Sequence, residues 1–175
     1  MNMDNNKRKV IFITAPEMFR DEEYYIPKFI LEKSGIKVIT ASLKLGELKG
    51  RFGFKTISTM LVKDIRPNVF DGIVYIGGNG AKIFFDNNYA LNLAKVFNKQ
   101  KKITAAICIA SVILANAGIL NGVKATVFIE GKDSLIKHGA IYTGKSIEID
   151  KNIITAYGPS VAKKFGQCIL NKIIN

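Results

Sequence analysis

The sequence predicts an α/β fold: a three-layer, flavodoxin-like sandwich with a mostly parallel central sheet and helices on both faces. Near-continuous apolar strand patterns alternate with helical patterns along the chain, as expected for a parallel sheet covered by helices. In addition, the apolar run 103–107 ends at Cys108, and a small-residue helical run follows directly. That succession of strand, single nucleophilic residue and helix is the local pattern of a nucleophile elbow.

Length and composition indicate one domain over residues 1–175, with 48% hydrophobic and 23% charged residues. No apolar run approaches the roughly 18 residues that span a bilayer, so we expect no membrane partner. The N-terminal segment lacks a small-residue cleavage site, and two cysteines, Cys108 and Cys168, do not make a disulfide framework. Both observations favour a cytoplasmic location.

The net charge of +12 comes mainly from scattered lysines, at residues 7–9, 99–102 and 163–164 among other places. A nucleic-acid-binding protein more often shows Arg clusters interleaved with aromatic residues on one face. We therefore expect a solvated, Lys-rich surface and no specific nucleic-acid binding.

The first half of the chain predicts strands and helices in alternation. Buried strands are expected over residues 9–14, 37–41 and 71–76, and helices over residues 21–34 and 88–98. Gly35 fits the left-handed position that ends a helix. Residues 45–62, which glycines punctuate, predict short antiparallel pieces, and loops such as 46–60 are expected to carry specificity.

The second half begins with the elbow strand and a helix that ends at Ala117-Gly118. Further strands are expected over residues 124–129, 140–142, 146–149 and 153–156, joined by turns. A last helix over residues 160–174 turns apolar side chains such as Phe165 and Ile169 inward, with Cys168 beside them as a structural cysteine.

Three segments follow strands that end on the same edge of this sheet: the acidic loop 15–23, Gly77-Gly78 and Cys108. In open α/β sheets that edge holds the functional site. The elbow exposes the sulfur and directs a helix N-terminus and backbone N–H groups at it, so we expect the reactive thiolate to be favoured. The alternative is a buried structural cysteine, because free Cys is among the most buried residue types.

The same segments carry a family resemblance that covers nearly the whole chain. It rests on residues 19–27 (Phe-x-Asp-x-Glu-x-x-x-Pro), 71–78 (strand and Gly-Gly loop), 106–108 with 117–126, and Gly158-Pro159. These resemble the ThiJ/PfpI superfamily, which includes the Parkinson-linked protein deglycase and PfpI-type intracellular proteases and has a class I glutamine amidotransferase-like fold.

The resemblance implies roles for four residues. Cys108 would be the nucleophile, Glu23 the carboxyl in contact with its sulfur, and the N–H groups of Gly78 and Ile109 the oxyanion hole, with Gly77 beside them. A carboxyl buried against sulfur has its ionised form disfavoured, so it can stay protonated, donate a hydrogen bond and move a proton.

Each of these residues also has a structural alternative. Glu23 could be an exposed acid in the first turn of its helix, and Asp21 and Glu22 are expected to be such acids, stabilised by the helix dipole. Gly77-Gly78 could be a plain turn or a phosphate loop, although no Gly-x-Gly-x-x-Gly pattern completes the latter.

The chain departs from the family where a histidine is expected. Ile109 stands at the position of the protease histidine, and Phe128 at the position of the histidine in deglycase-like members. The sole histidine, His138, lies in a turn-like segment and is expected at the surface. Without an imidazole to protonate an amine leaving group, protease activity is not expected. Tyr157, before Gly158-Pro159, could supply a phenol near the site.

Two functions follow from these residues. One is a cysteine-dependent enzyme without metal or cofactor that acts on small carbonyl or acyl compounds, as a glyoxalase, deglycase or amidase-like hydrolase. The other is a redox sensor or stress-response chaperone that uses oxidation of Cys108. A scaffold with an idle site, which has neither function, is a further alternative. The resemblance further implies a dimer or higher homo-oligomer, with 24–25 and 84–85 as interface candidates.

Overall fold

A computed structural model describes residues 8–175 of the protein. Residues 1–7 lie outside the described part of the chain, and with them Lys7 and the N-terminal segment on which the prediction about secretion rested. The predicted domain is therefore described from residue 8 onward.

In chain order, the elements are β1 (Lys9–Ile13), β2 (Glu17–Phe19), α1 (Asp21–Lys33), β3 (Lys37–Ser42), β4 (Gly46–Gly50), β5 (Lys55–Ser58), β6 (Met60–Leu61), β7 (Gly72–Tyr75), α2 (Asn88–Lys99), β8 (Ile103–Ile107), α3 (Ser111–Asn116), β9 (Lys124–Ala125), α4 (Lys132–Lys137), β10 (Ile141–Tyr142), β11 (Ile147–Asp150), β12 (Ile153–Ala156) and α5 (Ala162–Ile174). A seven-stranded sheet of order β11–β12–β8–β7–β1–β3–β6 lies at the centre. All its pairs are parallel except β11 with β12. The predicted α/β class and mostly parallel sheet are confirmed.

The strand order places helices on both faces of the sheet. From β1 the chain moves through α1 to β3 in one direction, whereas from β7 it moves through α2 to β8 in the other. Because such crossovers are right-handed, α1 and α2 cover opposite faces. The helix α5 packs beside α1, and α3 packs beside α2. The reversal between β1 and β7 is the kind of switch point at which open α/β sheets bind ligands.

The predicted strand over residues 124–129 is wrong beyond its first two residues. Only Lys124–Ala125 is a strand, and it pairs with β10 in a separate two-stranded sheet. The N–H of Thr126 then donates to Oγ1 of Thr155 (2.9 Å), and that of Phe128 to the carbonyl of Cys108 (3.4 Å). The apolar residues here are buried by packing near the elbow and not by strand pairing, and α4, which the sequence did not predict, follows.

The predicted antiparallel pieces in residues 45–62 are present as β4 and β5, and β2 joins them to form a three-stranded sheet. Asp21 holds the loop of this hairpin. Its carboxylate accepts the N–H groups of Phe52 (3.0 Å) and Phe54 (2.8 Å). The expectation that Asp21 is an exposed helix acid is therefore wrong, because these two amides outcompete water for its carboxylate and the side chain is buried.

Two of the aromatic residues suggested for an interface belong to the interior of the chain. Tyr24 is fully buried, and its hydroxyl bonds Oγ1 of Thr40 (2.6 Å) and of Thr56 (2.7 Å). Phe84 is also fully buried, whereas Tyr25 is exposed. Across residues 8–175, no helix has the length and apolar character needed to cross a membrane.

Replacing Asp21 by Ala should leave two N–H groups of the hairpin loop without their acceptor. We expect a loss of about 3 kcal/mol in the free energy of unfolding, because each hydrogen bond to a charged group is worth about 1.5–3 kcal/mol. Glu22→Ala is the matched control one residue away. It removes a half-exposed pair with Arg20 and should cost no more than about 1 kcal/mol. Equal losses for the two variants in urea unfolding would contradict the role given to Asp21.

Candidate active site

The carboxyl ends of three neighbouring strands meet at the site. Ile13 of β1 is level with Tyr75 of β7, and Tyr75 is level with Ala106 of β8. The segments that follow these strands therefore leave the sheet at the same height. They bring the start of α1, the Gly77-Gly78 loop and Cys108 into one crevice, as the sequence predicts.

The backbone of Cys108 has the strained geometry of an elbow. Its φ is 61°, in the left-handed region, directly after the extended residue Ile107. For a residue with a side chain this conformation costs roughly 1–2 kcal/mol, so the surrounding packing must enforce it. A single 3-10 turn, Cys108–Ala110, then leads into α3. The predicted strand–turn–helix is present, although the thiol residue is only 8% exposed.

Two glycines allow the loop after β7 to approach the cysteine closely. A Cβ atom on Gly77 would lie 2.6 Å from Cβ of Cys108 and 2.7 Å from the carbonyl oxygen of Ile107. Gly78 has a φ of 92°, and a Cβ there would lie 2.6 Å from the carbonyl oxygen of Met18. A side chain at either position would push the loop away from the sulfur.

Glu23 is enclosed in the interior and faces the thiol. Its side chain is fully buried, and neither carboxyl oxygen has a hydrogen bond of regular geometry within residues 8–175. Burial raises the pKa of Glu23 to about 8, while the neighbouring Cys108, Arg20 and Gly77 oppose that rise without cancelling it. The carboxyl is therefore protonated and uncharged at neutral pH, and the alternative of an exposed helix acid is wrong for Glu23.

The thiol of Cys108 is also shifted upward. Burial, together with an ionised Glu23 beside it, raises the pKa of Cys108 to about 12. The N–H groups of Ile109 and Gly78 point at the sulfur and lower the pKa, but they do not outweigh burial. The expectation that the elbow by itself favours the thiolate is thus wrong, because the turn encloses the sulfur as well as directing dipoles at it.

The two groups cannot both become charged without repelling each other, so they ionise one after the other. The Glu23 pKa of about 8 lies below the Cys108 pKa of about 12, so the first negative charge at the site falls on the carboxyl. At neutral pH most molecules carry both protons, and in the minor fraction with an ionised Glu23 the carboxylate can take the thiol proton as the sulfur reacts.

A cavity of about 340 Å³ opens onto Cys108 and Glu23. Gly78, Ile109 and Phe128 line it, so both positions at which the family carries histidine face this space with apolar side chains. The cavity is also lined by three basic residues that the sequence analysis did not single out: Arg20, Arg51 and Lys82. No local motif marks them, since they meet only through the folding of distant segments.

The remaining candidates lie elsewhere. The ring of Tyr157 packs on Phe128, with 5.4 Å between the ring centroids, and does not line the cavity of Cys108. His138 ends α4 and lines an adjoining cavity, where its Nδ1 bonds the carbonyl of Ser134 at 2.8 Å. Cys168 is half-buried on α5. In the described part of the chain, no three His, Cys, Asp or Glu side chains are grouped so that they could hold a metal ion.

Comparison with known proteins identifies the architecture. The sequence profile of the DJ-1/PfpI family matches residues 8–172. The chain belongs to the DJ-1/PfpI family. The resemblance to the ThiJ/PfpI superfamily drawn from the motifs is thereby confirmed.

Several relatives of known sequence match over most of their length. An uncharacterised protein of Methanocaldococcus jannaschii is 41% identical over 175 residues, covering 98% of this chain and 84% of the relative. A protein of Pyrococcus horikoshii named as a deglycase is 30% identical over 152 residues, covering 87% and 91% of the two chains. The deglycase PfpI of Pyrococcus furiosus is 29% identical over 151 residues, covering 86% and 90%.

Solved structures show the same fold. A ThiJ/PfpI domain protein of Brachyspira murdochii superposes with a TM-score of 0.92 at 30% identity, covering 94% of this chain and 96% of the other. Drosophila melanogaster DJ-1beta superposes with a TM-score of 0.87 at 25% identity, covering 95% and 90%.

Replacing Glu23 by Gln should stabilise the protein in a pH-dependent way. The unfolded chain loses the Glu23 proton near pH 4.5, whereas the folded protein keeps it to about pH 8. Wild type therefore loses stability as the pH rises through this range, and the variant, which has no proton to lose, does not. At pH 7 we expect Glu23→Gln to be more stable by about 3 kcal/mol.

Urea unfolding of both proteins at pH 4.5 and at pH 7 measures this difference. The gain should be only about 0.4 kcal/mol at the lower pH, because Glu23 is protonated in the folded protein there and only half ionised in the unfolded chain. Glu32→Gln, on the exposed side of α1, is the control and should show no such gain. A difference for Glu23→Gln that does not grow with pH would show that the Glu23 pKa is not raised.

Proposed function

We propose that the protein is an enzyme that uses Cys108 as a nucleophile on small carbonyl compounds, as a glyoxalase or deglycase does, without metal or cofactor. The observation that carries the proposal is the meeting of the Cys108 sulfur, the uncharged Glu23 carboxyl and two inward N–H groups at one small cavity. Relatives named as deglycases, with 29–30% identity over most of the chain, support the same class of reaction.

The first step is addition of sulfur to the carbonyl. An ionised Glu23 takes the Cys108 proton, the sulfur attacks the aldehyde carbon to form a C–S bond, and the π electrons of the carbonyl move onto its oxygen. The N–H groups of Gly78 and Ile109, which already point at the sulfur, are placed to stabilise that oxyanion. Glu23 gives its proton to the oxyanion, and the product is a hemithioacetal.

For a 2-oxoaldehyde, the same carboxyl can complete the reaction. As a carboxylate, Glu23 removes the proton from the carbon bonded to sulfur, and an enediolate forms. Return of that proton to the neighbouring carbon, together with transfer of the hydroxyl proton from the first oxygen to the second, gives a thioester of a 2-hydroxy acid. Water then cleaves the C–S bond, which releases the acid and regenerates the thiol. A carboxyl with a pKa of about 8 can act as acid and as base near neutral pH.

The absence of an imidazole from this cavity shapes the proposed activity. Peptide hydrolysis needs a proton for a poor amine leaving group, and Ile109 and Phe128 cannot supply one. Carbonyl addition has no such leaving group, so Glu23 suffices. Because a positioned acid or base is typically worth about 10²–10⁴-fold in rate, we expect turnover to be slower than in relatives that retain histidine.

Formation of lactate from methylglyoxal tests the proposal. We expect turnover by wild type, none above the uncatalysed rate for Cys108→Ser, and a loss of about 10²-fold or more in kcat for Glu23→Gln. Cys168→Ser, which removes the second thiol, should behave as wild type. Turnover that survives Cys108→Ser would contradict the proposal.

A redox role for Cys108 is the second candidate, and the unpaired carboxyl favours it. A protonated Glu23 without a regular hydrogen-bond partner can donate to a sulfinate formed on Cys108, and this role needs no histidine. The result that would favour it over catalysis is peroxide oxidation of Cys108 that stops at the sulfinate in wild type and continues to the sulfonate in Glu23→Leu, in a protein without methylglyoxal turnover.

A further inference from the structure

Basic side chains dominate the rim of the cavity that holds Cys108. Arg20, Arg51 and Lys82 line it, and Glu130 is the carboxylate that faces them there beside the uncharged Glu23. Arg20 is already engaged by Glu22 at 2.8 Å. By contrast, neither Arg51 nor Lys82 has an ion-pair partner among the residues that the structure describes.

The hairpin loop fixes the backbone of Arg51, whose side chain is exposed at the mouth of the cavity. The N–H of Arg51 donates to the carbonyl of Phe19 (2.8 Å), and Asp21 accepts the N–H of the next residue, Phe52. The guanidinium of Arg51 lies 5.7 Å from the centroid of the Phe52 ring, and that of Arg20 lies 4.7 Å from it. The Phe52 ring, whose backbone Asp21 holds in position, therefore contacts two guanidinium groups at the mouth of the site.

The position of these charges matters for the substrate. A neutral carbonyl compound would gain nothing from two cations without partners beside the nucleophile. A guanidinium and an ammonium are the groups that bind carboxylate and phosphate oxygens, and in a confined cavity they raise the local concentration of anions. A cavity of about 340 Å³ has room for only a small molecule, so an anionic group on it would lie within a few bonds of the reacting carbon.

We propose that the substrate of Cys108 is an anionic carbonyl compound, whose carboxylate or phosphate is bound by Arg51 and Lys82 while the sulfur takes the carbonyl carbon. This inference rests on the proposed function and specifies its substrate class. Arg51 provides paired N–H donors for two oxygens, and Lys82, on the segment that follows β7, provides a single mobile charge.

Two alkylating reagents of the same size test the charge preference without any turnover. Iodoacetate is an anion and iodoacetamide is neutral; with either, the Cys108 sulfur forms a bond to the CH₂ carbon and iodide leaves. The rate constant for iodoacetate at Cys108 is divided by that for iodoacetamide, both measured by mass spectrometry at pH 7. We expect this ratio to fall about tenfold in Arg51→Gln and in Lys82→Gln. Lys172→Gln, which removes one exposed charge near the far end of α5, should leave the ratio unchanged.

Protection from iodoacetamide separates the two anionic groups. Glyoxylate and glyceraldehyde 3-phosphate are compared with glyceraldehyde, which has no charge. Stronger protection by glyoxylate assigns the subsite to carboxylates, and stronger protection by the phosphate assigns it to phosphates. The inference would be overturned if all three aldehydes protected equally and the alkylation ratio were the same in wild type, Arg51→Gln and Lys82→Gln.

These outcomes are distinct from failure of the proposed function. A protein that does not turn over methylglyoxal but shows the charge-dependent ratio would retain an anion subsite beside an inactive thiol. A protein that turns over methylglyoxal with an unchanged ratio in both variants would be a carbonyl enzyme without charge selection.

Discussion

The contact of an enclosed carboxyl with an enclosed thiol is the interaction on which the rest of the site depends. Glu23 is held fully buried against Cys108, and the folded chain loses stability because the carboxyl keeps a proton that it would release in water. Gly77 is required because any side chain would fill the space that the carboxyl occupies. The strained backbone of Cys108 adds a second local cost. The apolar strands beneath Glu23 and Cys108 compensate for both losses of stability. Functional sites often trade stability for function in this way.

The fold provides this contact by ordinary means. Parallel strands end level with one another, so three loops emerge together, and the glycines after β7 let one loop reach the sulfur. The hairpin β4–β5 then comes over the crevice from outside the central sheet, and its loop is tied to α1 through Asp21. A single carboxylate therefore links the helix that carries Glu23 to the loop that carries Arg51.

Much of the central sheet and the elbow could be predicted from local sequence. Periodic apolar runs predicted the central strands, and Cys108 between a strand and a helix predicted the elbow. The interactions that were missed are long-range. Asp21 looks like any first-turn acid until the loop 31–33 residues away folds onto it. Arg51 and Lys82 carry no motif. The apolar residues after Ala125 suggested a strand because burial by packing and burial by strand pairing leave the same pattern. The direction of the Cys108 pKa was missed because the turn does not reveal how deeply the sulfur is enclosed.

The central claim is that the Glu23 carboxyl is un-ionised beside Cys108 at neutral pH. The most direct test is infrared difference spectroscopy of wild type against Glu23→Gln in heavy water, which isolates the C=O stretching band of this one carboxyl. The account predicts the band of a protonated carboxylic acid at pH 7, decreasing as the pH rises beyond about 8. A carboxylate band at pH 7, with no protonated band down to the ordinary range of Glu near pH 4.5, would contradict it.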